Sequence, residues 1–253
     1  MKAFLRPAIV FAIAGSLPFI SNAGENSPKE VAAVAPPACE WSGFYLGLSA
    51  GGQFGHSEDH DLGLNNVSAY NAPDRPWGYH EDGVSVSEQM GFNWQLGHFV
   101  FGPEVEAGYM NLKGSGFEPG DPHDTDGSSK SDLFATFRGR VGYAAGCWLF
   151  YGTGGGIGVN YTTRVFDDTV TAPNGLDRID AHREHFELGY TAGGGVERMF
   201  NMWGHRWSVK VEYLYFDLGN QGFSATSANG FGPYHWHGDT TGHIVRAGFN
   251  YHF

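Results

Sequence analysis

Histidine and carboxylate residues lie close together at two places in this chain. The stretch HSEDHD spans residues 56–61 and HWHGD spans 235–239, and together they hold four of the chain's 12 histidines. Neutral imidazole beside carboxylate is the ligand set of Zn, Cu or Ni. With Tyr234 and Trp236 adjoining them, His235 and His237 could also ligate and stack on haem, for which histidine is a common axial ligand. His56, His60, His235 and His237 are therefore candidate ligands for haem or Zn. The competing reading is that polar surface segments tolerate histidine and no cofactor is required. Catalytic groupings are not found: there is no H-E-x-x-H, and a pair such as Ser224 and His243 is of a kind that any loop-rich chain offers. The expectation is that this is not an enzyme. The glycine runs GTGGGIG (152–158) and AGGGV (192–196) fail the G-x-G-x-x-G pattern, because Ile157, Val159 and Arg198 stand where the last glycine belongs. They read instead as room for bulky residues on neighbouring strands.

A second set of reactive groups is spread along the chain with a regular period. In WSVKVEYLYFD (207–217), Trp207, Val209, Val211, Tyr213 and Tyr215 share one parity, and Ser208, Lys210 and Glu212 the other. Strict alternation means a β-strand with two unlike faces. The same charged parity recurs elsewhere: Glu104 and Glu106, Arg138 and Arg140, Glu197, and Arg246. With Lys210 and Glu212 these are four acids and four bases, which sum to zero charge.

Which elements hold these groups follows from the alternation. Strands are expected at about 43–54, 84–94, 98–110, 132–144, 148–159, 185–198, 206–216 and 243–253. Three connections are short, around Gln95–Gly97, Ala145–Cys147 and Phe200–His205; the other four, near 55–83, 111–131, 160–184 and 217–242, are long and polar. Short turns at one end and long loops at the other are the pattern of an outer-membrane barrel, and strands of about 9–11 residues suffice to cross a bilayer when tilted. If the wall spans a membrane, the charged parity must point inward, since an Arg or Lys facing lipid at midplane costs about 2–4 kcal/mol. The opposite parity carries Phe99, Phe101, Val105 and Tyr109, then Ala135, Phe137, Val141 and Tyr143, and finally Val245, Ala247, Phe249, Tyr251 and Phe253. The fold expected is all-β, an eight-stranded antiparallel up-and-down transmembrane barrel with four long extracellular loops and short periplasmic turns.

Two residues resist this scheme. Glu88 shares the parity of Val84, Val86, Met90 and Phe92, and Pro103 interrupts its strand. A register-shifting bulge would account for either. An eight-stranded barrel is narrow enough to be filled by its own side chains. Phe134, Phe150, Leu214 and Phe216 are expected to point in beside the ions, which disfavours an open pore.

The N-terminus carries Lys2 and Arg6, then an apolar run to about Ile20 and Ser21-Asn22-Ala23, as in a cleaved secretory signal. Three regions follow: a signal at 1–23, a Pro/Ala-rich periplasmic linker at 24–40 and the barrel at 41–253. Cleavage would move the formal charge from −12 to −14 by removing Lys2 and Arg6. The acidic balance disfavours nucleic acid as a partner. The four long connections alone carry a net charge of −9, counted over 55–83, 111–131, 160–183 and 219–242, which would favour divalent-cation bridges to lipopolysaccharide. Cys39 and Cys147 are the two cysteines, both expected at the periplasmic mouth. A bridge needs their Cα atoms within about 7 Å, so the linker would have to fold across the mouth, and the sequence leaves this open.

WSGFYLGLSAGG (41–52), GFNWQ (91–95), FRGRVGY (137–143), GYTAGGGVE (189–197), VKVEYLYFDLG (209–219) and VRAGFNYHF (245–253) carry a family likeness. In these segments the chain resembles the small outer-membrane β-barrel surface proteins of alphaproteobacteria, the "porin family" or "outer membrane immunogenic protein" group with OmpA-like architecture. The resemblance implies a bacterial outer-membrane location. It also implies contact with outer-membrane lipid and lipopolysaccharide, and a C-terminal strand, with Phe249, Tyr251 and Phe253, that the barrel-assembly machinery reads as a signal. For function it implies a structural and surface-interaction role that takes host or environmental surface ligands. The alternatives are a haem or transition-metal receptor built on the histidines, or a narrow porin-like channel.

Overall fold

The computed structural model describes residues 39–64, 77–117, 125–169, 177–225 and 234–253. The expected signal, linker residues 24–38 and His123 lie outside them. Eight strands alternate around a ring: β1 (Gly43–Leu64), β2 (Trp77–Leu96), β3 (Phe99–Phe117), β4 (Thr125–Ala145), β5 (Trp148–Thr169), β6 (Asp177–Met202), β7 (His205–Ala225) and β8 (Tyr234–His252). Every neighbouring pair is antiparallel, and β1 pairs with β8 to close the barrel. Closure leaves no strand edge with unpaired backbone groups, which a hydrocarbon environment requires.

Two-residue turns join the strands at one end, at 97–98, 146–147 and 203–204. Gly97 and Gly146 have φ of 63° and 62°; in the third turn both Trp203 (54°) and Gly204 (77°) are left-handed. Such conformations match the twist of the flanking strands. At the other end the strands run far past the expected boundaries: β1 continues to Leu64 rather than stopping near 54, and β6 begins at Asp177 rather than near 185. Much of what reads as long loop in sequence is therefore paired strand. Pairing persists wherever a partner strand is present, whether or not either face is apolar.

The two sequence anomalies resolve without bulges. Glu88 pairs with Leu48 and Ala107 in unbroken register, and Pro103 pairs with Gly139. Glu88 therefore faces outward, among the apolar residues of the wall. Register shifts do occur, but between Asp61 and Gly63, Tyr109 and Leu112, Ser131 and Phe134, and Asp217 and Asn220. The shift in β4 lets Ser129, Ser131 and Phe134 all face inward.

The interior is layered. At the turn end Cys39, Trp41, Val100, Ala144, Leu149, Tyr151 and Met199 form an apolar plug. Cys39 and Cys147 are disulfide-bonded, with Cα atoms 5.0 Å apart. Cys39 and Glu40, assigned by sequence to the linker, thus belong to the barrel's closure. Beyond this plug lies a belt of charges. Above the belt Met110, Leu112, Phe134, Ile157, Val159, Leu214, Phe216, Leu218 and Ile244 form a second apolar layer with Tyr161. Phe134, Leu214 and Phe216 point in as expected, but Phe150 is half exposed on the outer wall. It pairs with Tyr143 and follows outward Trp148, so it belongs to the aromatic ring near the turns. Its strand is too rich in glycine for parity to be read reliably from sequence.

Candidate functional site

The charged belt comprises the eight residues placed on one parity by alternation. Glu104, Glu106, Arg138, Arg140, Glu197, Lys210, Glu212 and Arg246 are all buried, none more than 4% exposed. They come from five strands, β3, β4, β6, β7 and β8, whose inward positions meet in the lumen. Arg138 bonds Glu104, reaches Glu106 at 3.0 Å through the same nitrogen, and reaches Glu212 at 3.2 Å. Arg140 donates to Glu197 at 2.6 Å and to the Tyr45 hydroxyl at 2.9 Å. Lys210 lies 3.4 Å from Glu104 and 3.8 Å from Glu212. Arg246 donates to Glu212 at 2.8 Å through Nε and to Glu106 at 2.9 Å.

Residues that the charge pattern did not reveal complete the belt. Tyr45 donates to Glu104 at 2.7 Å and Tyr151 to Glu212 at 2.8 Å. The Arg140 guanidinium stacks over the Tyr151 ring, 4.1 Å from its centroid. Gly195 makes room for that ring, since a Cβ there would meet the Tyr151 hydroxyl at 2.7 Å. Glu197 also accepts from Asn250 at 2.7 Å and from Ser208. The inward parity of Tyr45 and Asn250 was the available signal. Each charge thus has an opposite partner, which is the condition for ions to be tolerated away from water.

The four candidate histidines lie at the opposite end, on the strand extensions. His56 on β1 stands directly across from His80 on β2, with ring centroids 5.3 Å apart. His60 stands across from His237 on β8, 5.9 Å apart, with Glu58 3.7 Å from His60 and Asn220 2.5 Å from His237. His235 pairs in register with Gly63 and Ser224 instead. The four expected ligands therefore do not form one site. They divide into two pairs, one of which needs His80, and His235 joins neither. His56 and His60 are four residues apart on one strand, about 13 Å. Among the described residues no group of three or more His, Cys, Asp or Glu side chains is gathered closely enough to hold a metal ion. The side chains of Tyr234 and Trp236 lie outside the described residues. Ser224 and His243 are separated as well: Ser224 pairs with His235 while His243 pairs with Tyr215, nine residues along β7, roughly 30 Å.

The outer wall between these ends is apolar. Leu48, Val86, Phe101, Val141, Leu188, Val211 and Phe249 all project outward. The profile described as "Outer membrane protein beta-barrel domain" matches residues 31–253. The chain belongs to this outer-membrane β-barrel family. It is 30% identical over 235 residues to the 31 kDa outer-membrane immunogenic protein of Brucella melitensis biotype 1, covering 90% of both proteins. It is 31% identical over 195 residues to the 22 kDa outer membrane protein of Rhizobium leguminosarum bv. viciae, covering 76% of this chain and 72% of that one. The fold is similar to that of the outer membrane protein OprG from Pseudomonas aeruginosa. There the TM-score is 0.54 at 12% identity, with 86% of this chain and all of that one covered. In this outer-membrane barrel, β8 and the residue after it place Phe249 and Phe253 outward and Tyr251 half-buried beside them, with Tyr251 and Phe253 rings 4.8 Å apart.

Proposed function

We propose that this barrel serves the outer membrane as a structural and surface-interaction protein, a closed wall rather than a conduit. The observation that carries this reading is the filled lumen: a self-compensating ion belt lies between two apolar layers, with a disulfide-tied segment across the turn end. Its partners on this reading are outer-membrane lipid, lipopolysaccharide bridged to the acidic rim by divalent cations, and host or environmental surface ligands. The assembly machinery would engage the strand ending in Phe249, Tyr251 and Phe253. The word "immunogenic" in the Brucella relative's name supports display of the rim at the cell surface. No catalytic step is proposed. The test is single-channel recording of the refolded protein in a planar bilayer, paired with detergent and chelator sensitivity of a deletion strain. A silent bilayer and a leaky deletion strain are expected. Discrete conductance steps from the wild-type protein would overturn the reading in favour of a narrow channel.

A second reading, capture of a transition metal or haem at the rim, is favoured by the two cross-strand histidine pairs. Facing imidazoles on adjacent strands form a two-ligand clip suited to Zn, Cu or Ni. Titration of the folded protein with Zn²⁺ and with haemin tests it. Saturable binding that is lost when His56 and His80 become Ala supports the clip, and binding unchanged by those substitutions removes it.

A further inference from the structure

Glu88 is a carboxylate in the wrong solvent. The outward positions of β2 run Val84, Val86, Glu88, Met90, Phe92, Trp94 and Leu96, all exposed on the outer wall. At about 3.3 Å per residue and a tilt near 40°, Glu88 lies roughly 10 Å below Val84, beneath the top of the apolar band. Its cross-strand neighbours are Leu48 and Ala107. Among the described residues its side chain has no hydrogen bond or ion pair. It borders a groove of 690 Å³ that crosses β8, β1, β2 and β3. Small outward residues, Ala50, Ala107 and Ala247, line that groove, with Leu48, Val86 and Phe249 beside them.

Lipid chains can fill an apolar groove, but at this depth they offer a carboxyl no hydrogen-bonding partner. A second copy of the chain does. A two-fold interface brings the same patch of each copy together, so the patch must complement itself. A pair of carboxyls does so, an O–H on one donating to an oxygen of the other. Small side chains around it let two walls approach closely. We propose that the β8–β1–β2–β3 face is the interface of a two-fold dimer, with the two Glu88 carboxyls meeting at the axis. The interface stands whether or not the lumen conducts.

The test uses the full chain in outer membranes. Cys39 and Cys147 are bonded to each other and no free cysteine is present among the described residues, so an introduced thiol is the reporter. Glu88→Cys is oxidised with copper–phenanthroline beside Leu188→Cys, an equally outward position on the far wall at β6. A disulfide-linked dimer from Glu88→Cys and none from Leu188→Cys is expected. Light scattering in mild detergent should give a mass of two chains for the wild type and one for Glu88→Lys, which sets like charges at the axis. Heat-modifiable gel mobility reports that each variant has folded. If Glu88→Lys does not fold, the cysteine comparison decides alone. Equal cross-linking at both positions, or a wild type of single-chain mass, overturns the dimer. So does a wild-type monomer carrying a lipid, seen by native mass spectrometry, that Glu88→Leu loses, because the face would then be a lipid site.

Discussion

The lumen belt and the histidine rim are both clusters of ionisable side chains, built to opposite plans. In the belt every cation meets a carboxylate: Arg138 alone touches Glu104, Glu106 and Glu212, and all of these are buried. At the rim like faces like, His56 against His80 and His60 against His237, on an outward face. Buried ions are held by reciprocity, because an unpartnered one is costly. Imidazoles on the outer face carry no such penalty, and their contacts stay local: Glu58 lies beside His60 and Asn220 bonds His237.

The comparison breaks most sharply if one member of the belt is removed. Glu212 accepts from Arg138, Arg246 and Tyr151 and lies 3.8 Å from Lys210. Glu212→Leu strips a counter-ion from three cations at once and should cost about 3–5 kcal/mol. Urea titration of the refolded barrel, followed by heat-modifiable mobility, would register it as a lower midpoint. A variant as stable as wild type would mean that water reaches the belt.

Next in size is the closure beneath it. The Cys39–Cys147 bond links residues 108 apart and ties the Trp41 segment across the turn end. Cys39→Ser should destabilise the barrel by about 2–4 kcal/mol. In the same titration Tyr151→Phe should cost about 1.5 kcal/mol, since one hydrogen bond to a charged acceptor is lost while the ring under Arg140 stays.

Regions that differ so much in construction also differed in how far the sequence disclosed them. Lys210 and Glu212 alternate with Val209, Val211 and Tyr213, so parity alone marks which face turns inward. The contrast exists because one face meets lipid and the other does not. Above the membrane both faces are polar, the contrast vanishes, and the continuation of β1 through HSEDHD cannot be read from hydrophobic period. Sequence alone does not mark His80 as the partner of His56 for that reason: the pairing depends on a register 24 residues apart, set by the strands below. The inward turn of Phe134 together with Ser131 depends on a register shift in β4 that alternation cannot show. Glu88 was legible as an anomaly, but only its unbroken register shows that it faces out.

The smallest structural effect should come from the rim, and its smallness is what sharpens the contrast. His56 is exposed, and its ring lies across Gly78, where a Cβ would meet Nε2 at 2.9 Å. Glycine at that position leaves the imidazole free to swing toward His80 without displacing a side chain. His56→Ala should change the unfolding free energy from the urea curve by no more than about 0.5 kcal/mol, the range of ordinary surface substitutions. Yet removing one of two imidazole ligands should weaken Zn²⁺ binding by about tenfold, or 1.4 kcal/mol. Calorimetric titration beside the urea curve separates the two quantities. A His56→Ala barrel that loses stability but keeps its Zn²⁺ affinity would reverse the assignment, making the histidine pair part of the wall's own packing.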